Sequence, residues 1–105
     1  LKDLIIRGGF KIAAEEIENL LVGMPAIQEA AVVGLLSPRT NEEDVCVVAV
    51  PKAGQTVTLA EIKMFLRDKD VAAYKIPRRL VVFDSLPRNA LGKVIKREIR
   101  EKAGA

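Results

Sequence analysis

A chain of 105 residues makes one domain with a modest core. Half of its residues are apolar and 30% are charged, which argues against disorder, and no apolar run approaches the roughly 20 residues of a membrane span. With no histidine and a single cysteine, it has no credible zinc site, no Ser-His or Cys-His nucleophile pair and no disulfide framework.

The predicted elements open with a short hairpin. Leu4-Ile5-Ile6 is an apolar, strand-forming run, Gly8-Gly9 is a turn signal, and Phe10-Lys11-Ile12 resumes an alternating pattern. No signal-peptide pattern precedes it. A helix follows from about Ala14, with Glu15, Glu16 and Glu18 suited to the dipole of its first turns and Ile17, Leu20 and Leu21 on one stripe. Gly23 and Pro25 stop it. Glu29 to Leu36 reads as a buried strand, Ser37 to Asp44 as a polar loop, and Val45 to Val50 as a second buried strand closed by Pro51 and Gly54. Cys46 lies in that second run and reads as a buried thiol, which fits a reducing, cytoplasmic setting.

Thr58-Leu59-Ala60-Glu61 has the form of a capping box, and Ile62, Phe65 and Leu66 give the inward face of a second helix ending near Asp70. Tyr74-Lys75-Ile76-Pro77 reads as an irregular, extended crossing, because a residue before proline is pushed out of helical space. Leu80 to Phe83 is a third strand. Lys96 to Lys102 is a short terminal helix with Ile95 and Ile99 as its only anchors. The expected fold is α+β, a small three-stranded sheet covered by helices and preceded by a short β-hairpin.

Between the third strand and the last helix runs Leu86-Pro87-Arg88-Asn89-Ala90-Leu91-Gly92-Lys93-Val94-Ile95-Lys96-Arg97. Asn89 and Gly92 are turn-formers, so Lys93 belongs on a loop. On chemistry alone that is a solvated loop lysine. Charge is unevenly placed: residues 1–74 carry eight basic and eleven acidic side chains, residues 75–105 nine and three. The basic final third suits an anionic partner or, equally by composition, a solvated helix face. Nucleic acid is one such partner, but four aromatics without basic interleaving argue against a base-stacking module. A non-catalytic interaction domain is a further alternative.

The string Leu86 to Val94 resembles the carboxy-terminal signature of adenylate-forming enzymes, the AMP-dependent synthetase and ligase family that includes acyl-CoA synthetases, peptide-synthetase adenylation domains and luciferases. Two more stretches are similar to that family, in the right order. One is Lys2-Asp3-Leu4-Ile5-Ile6-Arg7-Gly8-Gly9-Phe10-Lys11-Ile12 with the following Glu16-Ile17-Glu18; the other is Tyr74-Lys75-Ile76-Pro77-Arg78-Arg79.

The resemblance implies the C-terminal mobile lid domain of an AMP-forming acyl-CoA synthetase, spanning 1–105, with a large N-terminal domain absent. ATP and coenzyme A would be substrates, Mg2+ would come with ATP and be bound mainly by the absent domain, and the partners would be that domain and a carboxylic acid. Nucleic acid and membrane would not be partners, and the isolated domain would be inactive.

By the same resemblance Lys93 is the catalytic lysine of adenylation, Gly92 supports its loop, and Lys2 is the hinge. Gly8 and Gly9 border the pantetheine tunnel, a role compatible with a plain hairpin turn. Lys75, Arg78 and Arg79 face the coenzyme A phosphates. The chain departs from the family where Ala14 replaces a frequent proline, where Arg39-Thr40-Asn41-Glu42 replaces an aromatic or arginine followed by Gly-Glu, and where Ile76 replaces an arginine of some members.

Overall fold

The computed structural model describes residues 3–104, so Lys2, the expected hinge, lies outside the described residues. Two antiparallel strands come first, β1 (Leu4–Arg7) and β2 (Phe10–Ala13), with Arg7 paired to Phe10 across Gly8 and Gly9. Both glycines have positive φ, 54° and 81°, the left-handed pair that matches strand twist and that side chains with a Cβ resist. Ile5 and Ile12 pair on the inward face and are fully buried, while Leu4, Ile6 and Phe10 stay exposed.

Helix α1 (Ala14–Leu21) starts directly behind β2 and buries Ala14, Ile17 and Leu21, a three- and four-residue spacing that defines one face. The second sheet contains β3 (Ile27–Leu36), β4 (Glu43–Pro51) and β5 (Arg79–Val82) in the order β3-β4-β5. Strands β3 and β4 are antiparallel, and β5 runs parallel to β4. A parallel neighbour needs a crossover, which α2 (Leu59–Asp68) provides. Its start is the predicted capping box: Thr58 Oγ1 accepts from the Glu61 N–H at 3.2 Å, and Glu61 Oε1 accepts from the Thr58 N–H at 2.9 Å. The last element is α3 (Lys96–Ala103).

The central strand explains the layering. Every residue from Val45 to Val50 is buried, so both faces of β4 need apolar cover. Val45, Val47 and Ala49 pack beneath the hairpin, α1 and α2, with Ile12, Ile17 and Ile62 among their cluster. Cys46, Val48 and Val50 face the other way, toward Leu86 and Ile99 of α3. Burial pushes the Cys46 thiol up to about 11. No helix among the described residues is long and apolar enough to cross a membrane.

The expected architecture stands, and its boundaries move. Strand β3 starts earlier than expected, at Ile27, which pairs with Pro51, and β4 takes Glu43 and Asp44 from the expected polar loop because the ladder carries on to the Leu36–Glu43 pair. The crossing before β5 contains a 3-10 turn, Ala73–Lys75, before Ile76 becomes extended ahead of Pro77. In α3 only Ile99 is a fully buried anchor. Ile95 is the helix N-cap, and Ala103 packs beside Ile99 instead.

Gly34 lets β1 lie across β3. A Cβ there would fall 2.6 Å from Glu43 Oε2 and 3.1 Å from Ile5 Cγ2. Gly34→Ala is therefore expected to destabilise the chain by about 1–3 kcal/mol, the usual cost of overpacking. Urea unfolding would measure it, and an unchanged midpoint would show that the hairpin does not need this clearance.

Candidate functional site

The lysine loop is held in shape by its own backbone. At its base the Ile95 N–H donates to the Pro87 carbonyl at 2.9 Å, and Arg88 and Val94 form an antiparallel bridge. At its tip the Asn89 N–H donates to the Lys93 carbonyl and the Gly92 N–H to the Asn89 carbonyl, both at 2.9 Å. The Asn89 carboxamide oxygen accepts from the N–H groups of Leu91 and Lys93 at 2.9 and 3.0 Å. Asn89 thus contributes as a side-chain acceptor, an Asx-type turn, whereas Gly92 supplies the positive φ of 84°. Lys93 sits exposed on this frame, and its ammonium has no ion pair among the described residues.

Two struts tie the loop to β3. Before the lysine, Arg88 donates through Nη1 to the Gly92 carbonyl at 2.8 Å and pairs with Glu29 of β3. After it, Lys96 donates to the Val32 carbonyl at 2.9 Å, lies 2.6 Å from Glu18 Oε2 and pairs with Asp3. Glu18 Oε2 also accepts from the Val32 N–H at 2.8 Å. Glu18 and Lys96 together satisfy the outward peptide groups of Val32 on an edge strand.

The glycine turn is anchored at the other end of the same sheet. The Gly8 N–H donates to Glu42 Oε2 at 2.7 Å, and the Ile6 N–H to Glu43 Oε1 at 2.8 Å. Glu42 is placed by a tight loop in which the Ser37 N–H donates to the Glu42 carbonyl at 2.7 Å and Asn41 takes a φ of 61°. Glu42 belongs to the stretch that departs from the expected pattern, and here it supports the turn. Arg88 reaches Glu29 near the start of β3, whereas the glycine turn reaches Glu42 in the loop that follows Leu36 at the strand's other end, seven residues or about 24 Å of strand further on. The fold keeps these two stretches separate.

The basic crossing divides by partner. Lys75 Nζ lies 3.0 and 3.1 Å from the two Glu16 oxygens, and this hydrogen bond raises its pKa above the usual lysine range. Arg79 Nη2 is 3.3 Å from Asp44 Oδ2, and Arg7 Nη1 is 3.5 Å from Asp44 Oδ1. That Arg7 nitrogen is buried without a hydrogen-bond partner, the 3.5 Å contact being an ion pair only. Arg78 has no ion pair among the described residues and is exposed. It borders a concavity of about 460 Å3 that Lys63 and Arg67 of α2 also line. It also borders a second, of about 320 Å3, beside Arg39 and Arg79.

Lys63 and Arg67 were not singled out in the sequence, where Arg39 entered only as part of a stretch that departs from the family pattern. The available signal was the like-charged pair four residues apart on α2, which a helix alone does not favour. Phe10 stacks on Tyr74 with centroids 4.3 Å apart, joining the hairpin to the crossing. Among the described residues no group of three or more Cys, Asp or Glu side chains is placed to hold a metal ion.

Comparison with known proteins adds three kinds of likeness. The model of the AMP-binding enzyme C-terminal domain matches residues 16–93. The 2,3-dihydroxybenzoate-AMP ligase of Bacillus subtilis (strain 168) is 44% identical over 95% of this chain and 18% of its own length. The indoleacetate–CoA ligase of Aromatoleum aromaticum is 46% identical over 95% of this chain and 19% of its own. Apo MatB from Rhodopseudomonas palustris superimposes with a TM-score of 0.88 at 38% identity, covering 98% of this chain and 20% of that one. The chain thus spans about a fifth of the length of the relatives it matches.

The Glu42 carboxylate is expected to protect the turn rather than the core. Glu42→Gln should speed amide exchange at Gly8 by about tenfold or more, the scale of a hydrogen bond to a charged acceptor. Exchange at Val48 should not change. Equal protection of Gly8 in both proteins would remove Glu42 from this role.

Proposed function

Because the chain belongs to the family of AMP-binding enzyme C-terminal domains, we propose that it is the mobile lid of an ATP-dependent, AMP-forming acid–thiol ligase. Its large N-terminal domain would hold the acid and most of ATP, with any Mg2+. The single observation that carries this reading is the separation of the lysine loop from the glycine turn in one compact body. Two stretches anchored toward opposite ends of one strand suit two reaction steps better than one shared centre. A lid that turns between two half-reactions can present each in its turn.

In the first half-reaction a carboxylate oxygen attacks the α-phosphorus of ATP, and the bond to pyrophosphate breaks. Two anions must approach, and charge builds on the transferring group. The Lys93 ammonium, exposed on a well-bonded loop, would stabilise that charge. In the second, a thiol sulfur attacks the acyl carbon and AMP leaves. The Gly8–Gly9 turn then offers a surface without side chains to a narrow thiol arm. The hinge falls at Lys2. Next to it, Asp3 is bound firmly to the lid: its carbonyl accepts from the Ala14 N–H at 3.1 Å and its carboxylate pairs with Lys96.

Coenzyme A is the acceptor this reading favours, with Arg78 as the principal contact to its phosphates. Lys75 and Arg79 are already engaged by Glu16 and Asp44, so they offer a phosphate less charge than Arg78 does. Relatives named for adenylate formation and for coenzyme A ligation are similarly close to this chain. The buried, unactivated Cys46 suits a cytoplasmic enzyme.

In the longer ligase, Lys93→Ala should slow adenylation, followed by pyrophosphate exchange, roughly a hundred- to a thousandfold. Thioester formation from supplied acyl-adenylate should stay within about twofold of the parent, since that step does not call on the lysine. Equal losses in both steps would make the assignment wrong. Arg78→Ala should raise the KM for coenzyme A several-fold and leave pyrophosphate release unchanged. A KM that does not move would remove Arg78 from the acceptor site.

A further inference from the structure

Lys93 needs more than a loop. Lys93 is exposed, Leu91 two residues before it is 84% exposed, and a Cβ on Gly92 would meet nothing within 4 Å. Packing therefore does not set the attitude of the Gly92–Lys93 peptide. Hydrogen bonds do. Those made by Asn89 close within the loop, so they set its shape and not its direction relative to the sheet.

Arg88 makes the link that Asn89 cannot. One guanidinium nitrogen donates to the Gly92 carbonyl, the peptide group directly before Lys93, at 2.8 Å. Another engages the Glu29 carboxylate on β3. A register shift between Ile27 and Glu29 marks a bulge there, a feature that re-aims side chains on a strand. The planar fork of arginine can hold two acceptors in a fixed relation, which a lysine ammonium on a flexible stem does not reproduce.

We propose that Arg88, oriented by Glu29, is the positioning residue that aims Lys93 from the sheet toward the reacting phosphate. The inference rests on the reading of Lys93 given above. Arg88 touches neither substrate nor reacting atoms in this role; it acts through the peptide that carries the lysine. Preorganised donors are sensitive to placement, and a displacement of about 1 Å can cost on the order of a hundredfold.

The test combines the 105-residue chain with the longer ligase. In the chain, Arg88→Ala should speed amide exchange at Gly92 and Lys93 by about fivefold or more, with Val48 unchanged, and Arg88→Lys should not restore protection. In the ligase, Arg88→Ala should lower adenylation roughly ten- to a hundredfold and spare the thioester step. Glu29→Gln should lower adenylation less. The double variant Arg88→Ala/Lys93→Ala should be no slower than Lys93→Ala alone, because Arg88 has no other route to the chemistry. Unchanged exchange in the chain overturns the proposal whatever the kinetics. So does a double variant whose losses multiply. If Lys93→Ala leaves adenylation intact, the catalytic reading fails instead, and the exchange data still decide whether Arg88 aims the loop.

Discussion

A strand that is apolar on both faces governs this molecule. Val45 to Val50 is buried throughout, and a two-faced strand is stable only if both sides are covered. The hairpin, α1 and α2 cover one side, and α3 with Leu86 covers the other. The lysine loop is the connection that brings the chain to α3, so its place follows from the need to close the second layer. The glycine turn belongs to the hairpin that closes the first. Their separation is a consequence of the core and not of either motif.

Charged side chains finish what the core begins. Glu18 and Lys96 satisfy one edge residue of β3, Glu42 and Glu43 hold the amides of Gly8 and Ile6, and Glu16 holds Lys75. These contacts are partly exposed, so each contributes modestly to stability and more to geometry. Their chemical effect is to withdraw cations from ligand binding. Lys75 and Arg79 are engaged by carboxylates, whereas Arg78, Lys63 and Arg67 border one concavity with no carboxylate lining it. The surface available to a phosphate is therefore smaller than the basic composition suggests, and shifted toward α2.

The proposed lid would have to turn without deforming. The contacts of Asp3 and Lys96 join the first described residue to α1, β3 and the start of α3. This junction and Arg88 thus tie both ends of the lysine loop to the same strand. Bracing of this kind fits a domain that alternates between two orientations.

What the sequence determined is what lies within a few residues along the chain. The capping box of α2 is a three-residue relation between Thr58 and Glu61, and the two-glycine turn needs only adjacent positive φ values. The unbroken apolar run of β4 announces its burial, and the stretch from Leu86 to Val94 carries the likeness to the family without help from the fold. Tertiary structure decided the pairings across long separations. Glu16 and Lys75 are 59 residues apart, as are Glu29 and Arg88, and Glu42 lies 34 from Gly8. A carboxylate in a sequence has many basic residues it could meet, all alike in charge. Only the packing of the layers on β4 brings one of them within hydrogen-bond range, and that packing decides which cations hold the fold together and which remain for a ligand.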